Sequence, residues 1–201
     1  MRVVEQSHTV LTPLDTETVY KMIEFAGRTA YKSEDKITVG SAERFISSIV
    51  TRGHESVVEH FNVTVRFITD RGVTHEIVRH RLVAYTQEST RYCNYAGKEM
   101  EFIKPVFWEE GSGLYVRWWQ EMLQAERAYN DLIRAGCSPQ EARSVLPNSL
   151  KTEIVCTANI REWRHILKLR TDKAAHPQMS ALMIPLLSDF KAQLPVLFEG
   201  I

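Results

Sequence analysis

The feature that most constrains the fold is a short stretch of strict alternation at residues 61–67. Phe61, Val63, Val65 and Phe67 are apolar, and a polar residue separates each from the next. Successive side chains of a β-strand point to opposite faces, so a period of two predicts a strand with one buried face. Any fold for this chain must therefore include a sheet with one face packed against other elements.

Apolar residues at helical spacing dominate the rest of the chain, which has no repeat and no regular βαβ alternation. The apolar spacing and capping residues predict helices over 16–26, 41–52, 73–82, 115–135, 138–147, 162–169 and 177–194. Gly27 and Gly53 are expected to end the first two helices, and Pro185 to interrupt the last. Further strands are predicted over 2–11 and 152–158. Helices with few strands indicate an α+β fold, in which helices pack on a small mixed or antiparallel sheet in one domain over 1–201.

The composition excludes several classes of protein. Its 201 residues carry 25 basic and 25 acidic side chains, and this balance argues against a general nucleic-acid coat. The three cysteines are odd in number and widely spaced, so we expect a reducing cytoplasm and no disulfide framework. The N-terminal residues lack a signal peptide's apolar stretch, and no window approaches about 18 apolar residues, so we expect no membrane partner.

Arginines are concentrated in one part of this neutral chain. Arg79, His80 and Arg81 are consecutive, and Ser89 and Arg91 follow shortly after them. Such cations repel one another unless an anion lies among them, and the guanidinium fork matches phosphate oxygens. The cluster therefore predicts a site for a phosphate-bearing ligand. The alternative is a solvated helix end, where cations also suit the helix dipole.

Other motifs argue against several kinds of site. His54 and His60 do not have the spacing that places two imidazoles on one helix face, and no cysteine completes a set, so no metal site is expected. His54 follows a helix end and is either a ligand contact or structural.

Ser89 lacks the surroundings of a nucleophile, which favours a hydroxyl that bonds phosphate. With neither G-x-G-x-x-G nor a Walker A loop present, any dinucleotide must be held by side chains and helix ends.

The ordered set of motifs resembles the flavin-dependent thymidylate synthases. In their signature an Arg-His-Arg run is followed, after seven residues, by serine, as in Arg79–Arg81 and Ser89 here. The matching segments are residues 53–56, 59–60, 79–81, 89, 91–92, 142–147, 159–161 and 169–172. Their order and spacing agree with the family over residues 27–178.

The resemblance implies an enzyme that makes dTMP from dUMP. It implies that a one-carbon unit passes from methylenetetrahydrofolate to C5 of dUMP, that FAD supplies the hydride, and that NADPH reloads the flavin. It also implies an α+β homotetramer with sites shared between subunits, which acts on small molecules and needs no metal.

Residue roles follow from the same resemblance, position by position. Those implied for dUMP are Glu76, Arg79, Gln87, Glu88, Ser89, Arg91, Arg143 and Arg170. Those implied for FAD are His54, Ser56, Arg79, His80, Arg81, Gln87, Asn159 and His165. Arg170 is the expected catalytic residue, because its family counterpart stabilises negative charge on the uracil ring. Arg143 is expected to reach the nucleotide from another subunit.

The sequence departs from the family pattern at four of these or neighbouring positions, which are Ala84, Thr86, Gln87 and His165. The departures affect the hydrogen bonds expected around the pyrimidine and the flavin. A contact between His176 and the flavin is left open.

Two other functions remain as alternatives. One is a flavin- or folate-linked enzyme that methylates uracil in RNA, which the neutral charge disfavours because polynucleotide binding rests on many phosphate contacts. The other is a nucleotide-binding module without catalysis. Such a module would need phosphate ligands such as Ser89 but would have no use for Arg170 at the ring.

Overall fold

The computed structural model describes all residues from 1 to 201. Its strands are β1 (Arg2–Val4), β2 (Ser7–Val10), β3 (Asn62–Asp70), β4 (Ala84–Gln87), β5 (Glu101–Ile103) and β6 (Lys151–Asn159). Its α-helices are α1 (Thr16–Thr29), α2 (Ser41–Thr51), α3 (Arg71–Ile77), α4 (Gly113–Arg134), α5 (Pro139–Ala142), α6 (Ile160–Arg170), α7 (Pro177–Gln193) and α8 (Pro195–Phe198). Short 3-10 turns span Glu34–Lys36, Glu55–His60 and Arg143–Val145. The mixture of helices with small sheets agrees with the predicted class.

Two small sheets organise the strands. Strands β1 and β5 pair in parallel, and the other four form a sheet in the order β2-β3-β6-β4. The predicted alternation in β3 is confirmed, because Val63, Val65 and Phe67 are fully buried. Strand β6 shows the same alternating burial, so one face of each central strand packs on a core.

Contacts divide the chain into two compact units. The first comprises Met1–His8, Arg66–Arg81 and Tyr85–Val155, and the second comprises Thr9–Val65, Leu82–Ala84 and Cys156–Ile201. The core of the first unit gathers Met100, Phe102, Tyr115, Trp118, Met122, Tyr129, Ala142 and Leu150. In the second unit the buried Trp163 packs edge-on against Phe190 and donates from Nε1 to the Val63 carbonyl at 2.9 Å. The expectation of a single domain over 1–201 stays a prediction.

The helix after β3 is shorter than predicted. It begins at Arg71, where Asp70 caps it by accepting from the Val73 amide at 2.6 Å, and it ends at Ile77 rather than Leu82. The Tyr85 hydroxyl lies 2.7 Å from the Ile77 carbonyl oxygen, an acceptor that a continuing helix would use. The arginine run therefore lies in a turn beyond the helix.

Gly27 does not end α1 as predicted. The helix continues to Thr29, and a Cβ on Gly27 would lie 2.6 Å from the Phe45 ring and 2.9 Å from Val57. Glycine is required here by close packing rather than by a change of chain direction. Gly53, in contrast, has a φ of +73° directly after α2 and confirms the predicted end of that helix.

Three further differences concern short elements and a proline. The predicted strand over 2–11 is two separate strands, β1 and β2, which belong to different sheets. Strands β4 and β5 were not predicted, because four and three residues are too few to display a period. Helix α7 contains Pro185 without interruption, so the predicted break is wrong. No helix is both long enough and apolar enough to cross a bilayer.

Candidate functional site

The predicted site residues fall into two groups, one in each unit. The first unit holds Glu76, Arg79, His80, Arg81, Gln87, Glu88, Ser89, Arg91 and Arg143. The second holds His54, Ser56, Asn159, His165 and Arg170.

In the first unit, residues 89–93 form a tight turn shortly after β4, here called the Ser89 turn. The Ser89 carbonyl accepts hydrogen bonds from the amides of Tyr92 at 3.1 Å and Cys93 at 2.9 Å. The Ser89 hydroxyl oxygen accepts from the Arg91 amide at 3.3 Å. The Arg91 guanidinium is exposed and lies over the Tyr92 ring, 5.3 Å from its centroid. The turn thus presents a serine hydroxyl and an arginine guanidinium from positions two residues apart.

A third predicted residue meets this turn from a distant part of the sequence. Arg143 Nη1 donates to the Thr90 hydroxyl oxygen across 3.4 Å, and Thr90 is buried. Arg143 directly follows α5, whose start is fixed by a capping box between Ser138 and Glu141. Its guanidinium remains largely exposed. Within one chain, Arg143 therefore lies beside the Ser89 turn, and its predicted contribution to a neighbouring subunit stays a prediction.

The arginine run lies in a turn that Tyr85 holds in place. The Tyr85 hydroxyl is within hydrogen-bonding distance of two carbonyl oxygens, of Ile77 at 2.7 Å and of His80 at 2.8 Å. His80 is buried, whereas Arg79 and Arg81 are exposed and form no ion pair. This arrangement turns two uncompensated cations to the surface, as a site for an anion requires.

Gln87 and Glu88 have side chains engaged within the first unit. Gln87 Nε2 donates to the hydroxyl oxygens of Thr74 at 2.9 Å and Thr152 at 3.3 Å. Glu88 accepts a hydrogen bond from the Tyr95 hydroxyl at 2.7 Å. These contacts fix both residues next to the Ser89 turn.

In the second unit, two adjoining cavities lie along helix α6. One is an open groove of about 800 Å³ lined by Glu55, Glu59, Leu82, Asn159, Arg161, Glu162, Arg164, His165, Lys168, Gly200 and Ile201. The other, of about 520 Å³, is lined by His165, Lys168, Leu169, Arg170, Asp172, Ala174 and Ala175. His165 and Lys168 border both cavities. The predicted His54 and Ser56 are exposed but line neither of them.

Ion pairs shape the larger groove, called the α6 groove below. Arg161 pairs with Glu59 at 2.5 Å, and Arg164 pairs with Glu55 at 3.1 Å. The hydrogen bond to Glu59 raises the pKa of the Arg161 guanidinium above its ordinary value. Lys168 is exposed and forms no ion pair. The groove therefore combines compensated arginines with one uncompensated ammonium group.

Helix α6 positions two predicted residues at its ends. Asn159 is its N-cap, where the side-chain oxygen accepts from the Glu162 amide at 2.9 Å. Arg170 is the last helical residue and is half-buried, and its carbonyl accepts from the Ser180 hydroxyl at 3.1 Å. A capped helix with a packed C-terminal end holds Arg170 in a defined position beside the smaller cavity.

Metal-ligating side chains and thiols are two further kinds of candidate group for chemistry. No group of three or more His, Cys, Asp or Glu side chains is arranged to hold a metal ion. All three cysteines are free. Burial raises the pKa of the Cys156 thiol to about 12, so this group stays protonated near neutral pH.

Comparison with known proteins identifies the family. The sequence model of the family described as "Thymidylate synthase complementing protein" matches residues 14–196. A flavin-dependent thymidylate synthase of Corynebacterium aurimucosum is 34% identical over 199 residues, which covers 89% of this chain and 78% of that protein. The chain belongs to the flavin-dependent thymidylate synthase family. The resemblance carried by the sequence motifs is thereby confirmed.

A second thymidylate synthase of the family, from Pyrococcus furiosus, is 34% identical over 161 residues. That alignment covers 79% of this chain and 66% of the archaeal protein, so the chain spans just under two thirds of its length. Among solved structures, the UMP/dUMP methylase PolB from Streptomyces cacaoi, bound with 5-Br dUMP, superposes with a TM-score of 0.81. The two sequences are 23% identical, and the match covers 99% of this chain and 96% of that one, which shows a shared fold.

Several residues around these thymidylate synthase motifs were not predicted. Lys168 had a signal, since it lies three positions after His165 on the same helix face. Tyr85, Tyr95 and Lys151 had none, because their partners are backbone carbonyls or lie outside any helix or strand pattern that the residues share. Only the tertiary structure shows that they fix the positions of the predicted residues.

Proposed function

We propose that this chain catalyses the reductive methylation of dUMP to dTMP. In the proposed reaction methylenetetrahydrofolate transfers its methylene carbon to C5 of the uracil, and a hydride carried by FAD reduces that carbon to a methyl group. NADPH restores the reduced flavin, so that dUMP, methylenetetrahydrofolate, NADPH and a proton become dTMP, tetrahydrofolate and NADP⁺. The C5 proton of the uracil leaves to solvent.

The observation that carries the proposal is the contact between Arg143 and Thr90 in a member of this family. Thr90 stands between Ser89 and Arg91, so the contact brings a second exposed guanidinium to a turn that already presents a hydroxyl and an arginine. Two guanidinium forks and a hydroxyl suit the oxygens of a nucleotide 5′-phosphate. We therefore assign Ser89, Arg91 and Arg143 to the phosphate of dUMP, and we retain Glu76, Arg79, Gln87 and Glu88 as nearby nucleotide residues.

Arg170 is assigned to the uracil ring. A guanidinium cannot lose its proton at physiological pH, and Arg170 is half-buried at the packed end of α6. A fixed cation in a partly dry site favours negative charge that develops on the ring, which makes C5 a better nucleophile. This role requires no enzyme nucleophile, consistent with the protonated state of Cys156 and with the engagement of Ser89 in its turn.

We place FAD in the α6 groove, which has a volume of about 800 Å³. Its exposed Lys168 ammonium, with His165 beside it, offers positive charge for a pyrophosphate without a Rossmann loop. When bound, the flavin would supply the hydride. We assign Asn159 and His165, which line this groove, to the cofactor. We retain His54, Ser56, Arg79, His80, Arg81 and Gln87 as flavin residues on the family resemblance alone.

The proposal includes a cytoplasmic homotetramer whose sites are shared between subunits. Val78 and Tyr92, which adjoin Arg79 and Arg91 in sequence, are 39% and 77% exposed and are candidate interface residues in this proposal.

The test begins with colour and proceeds to turnover. Purified protein should bind FAD and show its yellow absorbance. Tritium release from dUMP labelled at C5 should then require both NADPH and methylenetetrahydrofolate. UMP is included as a second substrate, because the structurally similar PolB is named a UMP/dUMP methylase. Uracil-containing RNA is the third.

Each outcome has a separate meaning. Release from dUMP with both co-substrates supports the proposal. Turnover of RNA alone would favour the RNA methylase, and tight dUMP binding without any FAD uptake or release would favour a binding module. Protein that neither binds FAD nor releases tritium from any substrate would refute the proposal.

A further inference from the structure

A hydrogen bond closes the segment from Glu88 to Tyr95 into a loop. The Tyr95 hydroxyl donates to Glu88 Oε1 at 2.7 Å, and the Glu88 amide donates to the Glu153 carbonyl at 2.9 Å. Glu88 is thus fixed through its backbone to β6 and through its side chain to Tyr95. The Ser89 turn lies wholly between these two anchored residues.

A largely buried ammonium group lies near the other carboxylate oxygen of Glu88. Lys151 Nζ lies 3.7 Å from Glu88 Oε2, 2.7 Å from Glu153 and 3.7 Å from Glu101, and its side chain is only 16% exposed. Burial opposes the charge on Lys151, but the hydrogen bond with Glu153 and the surrounding carboxylates outweigh it and raise its pKa. Lys151 thus places a positive charge beside the carboxyl group that accepts from the tyrosine hydroxyl.

Tyr95 itself is well anchored. Its ring packs edge-on against Tyr129 with centroids 5.9 Å apart, and its amide lies 3.4 Å from the Tyr129 hydroxyl oxygen. Burial, followed by the hydrogen bond to Glu88, raises the pKa of Tyr95. The phenol is consequently a donor throughout the neutral range.

We propose that Tyr95 is a positioning residue for nucleotide binding, which acts through Glu88 to hold the Ser89 turn in its ligand-binding shape. The inference rests on the proposed function, because it takes Ser89 and Arg91 as the phosphate ligands. Glu88 then serves the nucleotide by orienting the residues that follow it. We therefore expect its effect on the binding of the nucleotide.

The proposal predicts that loss of the Tyr95 hydroxyl raises the KM for dUMP and leaves kcat nearly unchanged. Phosphate contacts act equally on the ground state and the transition state, so loosening them weakens binding without slowing the chemical step. Loss of a hydrogen bond to a charged acceptor shifts the equilibrium between the ordered and the loosened turn by roughly tenfold or more, and the apparent affinity falls with the population of the ordered turn. Tyr95→Phe should therefore raise the KM for dUMP roughly tenfold, while kcat at saturating dUMP changes less than twofold.

Tyr115→Phe is the matched control. Tyr115 is a buried tyrosine in the core of the same unit, and its hydroxyl makes no hydrogen bond to the segment 88–95. It should leave the KM for dUMP unchanged, and both variants should keep the KM for NADPH. A Tyr95→Phe enzyme with the same KM as Tyr115→Phe, or one that loses kcat at unchanged KM, would overturn the proposal.

Double-mutant kinetics tests whether Tyr95 acts through Glu88. In a Glu88→Ala background the hydroxyl has lost its acceptor, so Tyr95→Phe should change the KM for dUMP less than twofold. If the full tenfold effect persists in that background, Tyr95 acts by another route and the proposed linkage is wrong.

Amide hydrogen exchange separates this inference from the proposed function. The amides of Tyr92 and Cys93 bond to the Ser89 carbonyl, so loosening of the turn should speed their exchange at least tenfold in Tyr95→Phe and not in Tyr115→Phe. The measurement needs no substrate. Unchanged exchange would overturn the positioning role even in an active enzyme, whereas faster exchange in a protein that does not turn over dUMP would uphold the linkage and refute only the reaction.

Discussion

Arg143 donates a hydrogen bond to the hydroxyl oxygen of Thr90 across 3.4 Å, although 53 positions separate the two residues in sequence. The contact joins the end of α5 to the turn that follows β4. It brings two arginines predicted from separate motifs to one place in a single chain. Any account of nucleotide binding must therefore treat Arg143 and the Ser89 turn as parts of one structure.

Arg143→Ala should weaken nucleotide binding. The variant loses a charge-assisted contact to phosphate, which is worth about 1.5–3 kcal/mol, or roughly tenfold to a hundredfold in KM for dUMP. Arg143→Lys keeps the charge but loses the planar fork. Its KM for dUMP should lie between those of Arg143→Ala and the unmodified chain. Steady-state kinetics with dUMP varied provides the measurement.

Arg134→Ala is the control for that prediction. Arg134 is exposed in the last turn of α4 and pairs with Asp131 on the same helix. It should have the KM of the unmodified chain. An equal rise in KM for both variants would show that charge alone, and not the position of Arg143, is responsible.

Arg170→Ala should act on turnover. Removal of one fixed charge that stabilises a developing anion costs about 3 kcal/mol, so kcat should fall about a hundredfold or more. The variant should remain folded and yellow, which circular dichroism and flavin absorbance will report. Arg127→Ala, which removes an exposed arginine from α4, is the control, and normal turnover by Arg170→Ala would contradict the assigned role.

Gly27→Ala should destabilise the second unit. The added Cβ would lie 2.6 Å from the Phe45 ring and 2.9 Å from Val57, so the buried interface between α1 and its neighbours must shift. Overpacking of this kind typically costs about 1–3 kcal/mol of unfolding free energy. Urea denaturation measures it, with Gly113→Ala as control, because a Cβ at Gly113 meets nothing within 4 Å. Equal stability of the two variants would contradict the packing explanation.

Stability should fall at alkaline pH through Cys156. Burial raises the pKa of its thiol from 9.0 to about 12 in the folded chain, so between these values the folded state holds a proton that the unfolded state has lost. The stabilisation is complete below the unfolded value and is lost as pH rises through the folded one. Unfolding free energy should therefore decrease when the pH is raised from about 8 to about 10.5.

Cys156→Ala tests the source of that decrease. Tyr95, whose pKa is also raised, and all other titrating groups remain in the variant, so its unfolding free energy should fall less over the same pH interval. Identical slopes in the two proteins would show that Cys156 does not contribute.

Much of the framework could be predicted from local sequence. The alternation in β3, the apolar spacing of α4 and the start signal of α5 each lie within a few neighbouring residues, and the structure contains all three elements. The end of α3 could not be predicted, because it depends on a hydroxyl from Tyr85 in another element. The role of Gly27 was predicted wrongly for the same reason, because the Phe45 ring in another helix leaves no room for a Cβ at this position.

For the candidate site, the sequence by itself determined the residue types and the family, because the spacing of Arg79–Arg81, Ser89 and the later arginine motifs is a property of the linear chain. Tertiary structure alone decided that Arg143 meets Thr90 and that Tyr95 and Lys151 share Glu88. Hydrogen bonds and ion pairs between distant segments leave no periodic trace in sequence. They exist only where folding brings a donor within about 3 Å of an acceptor.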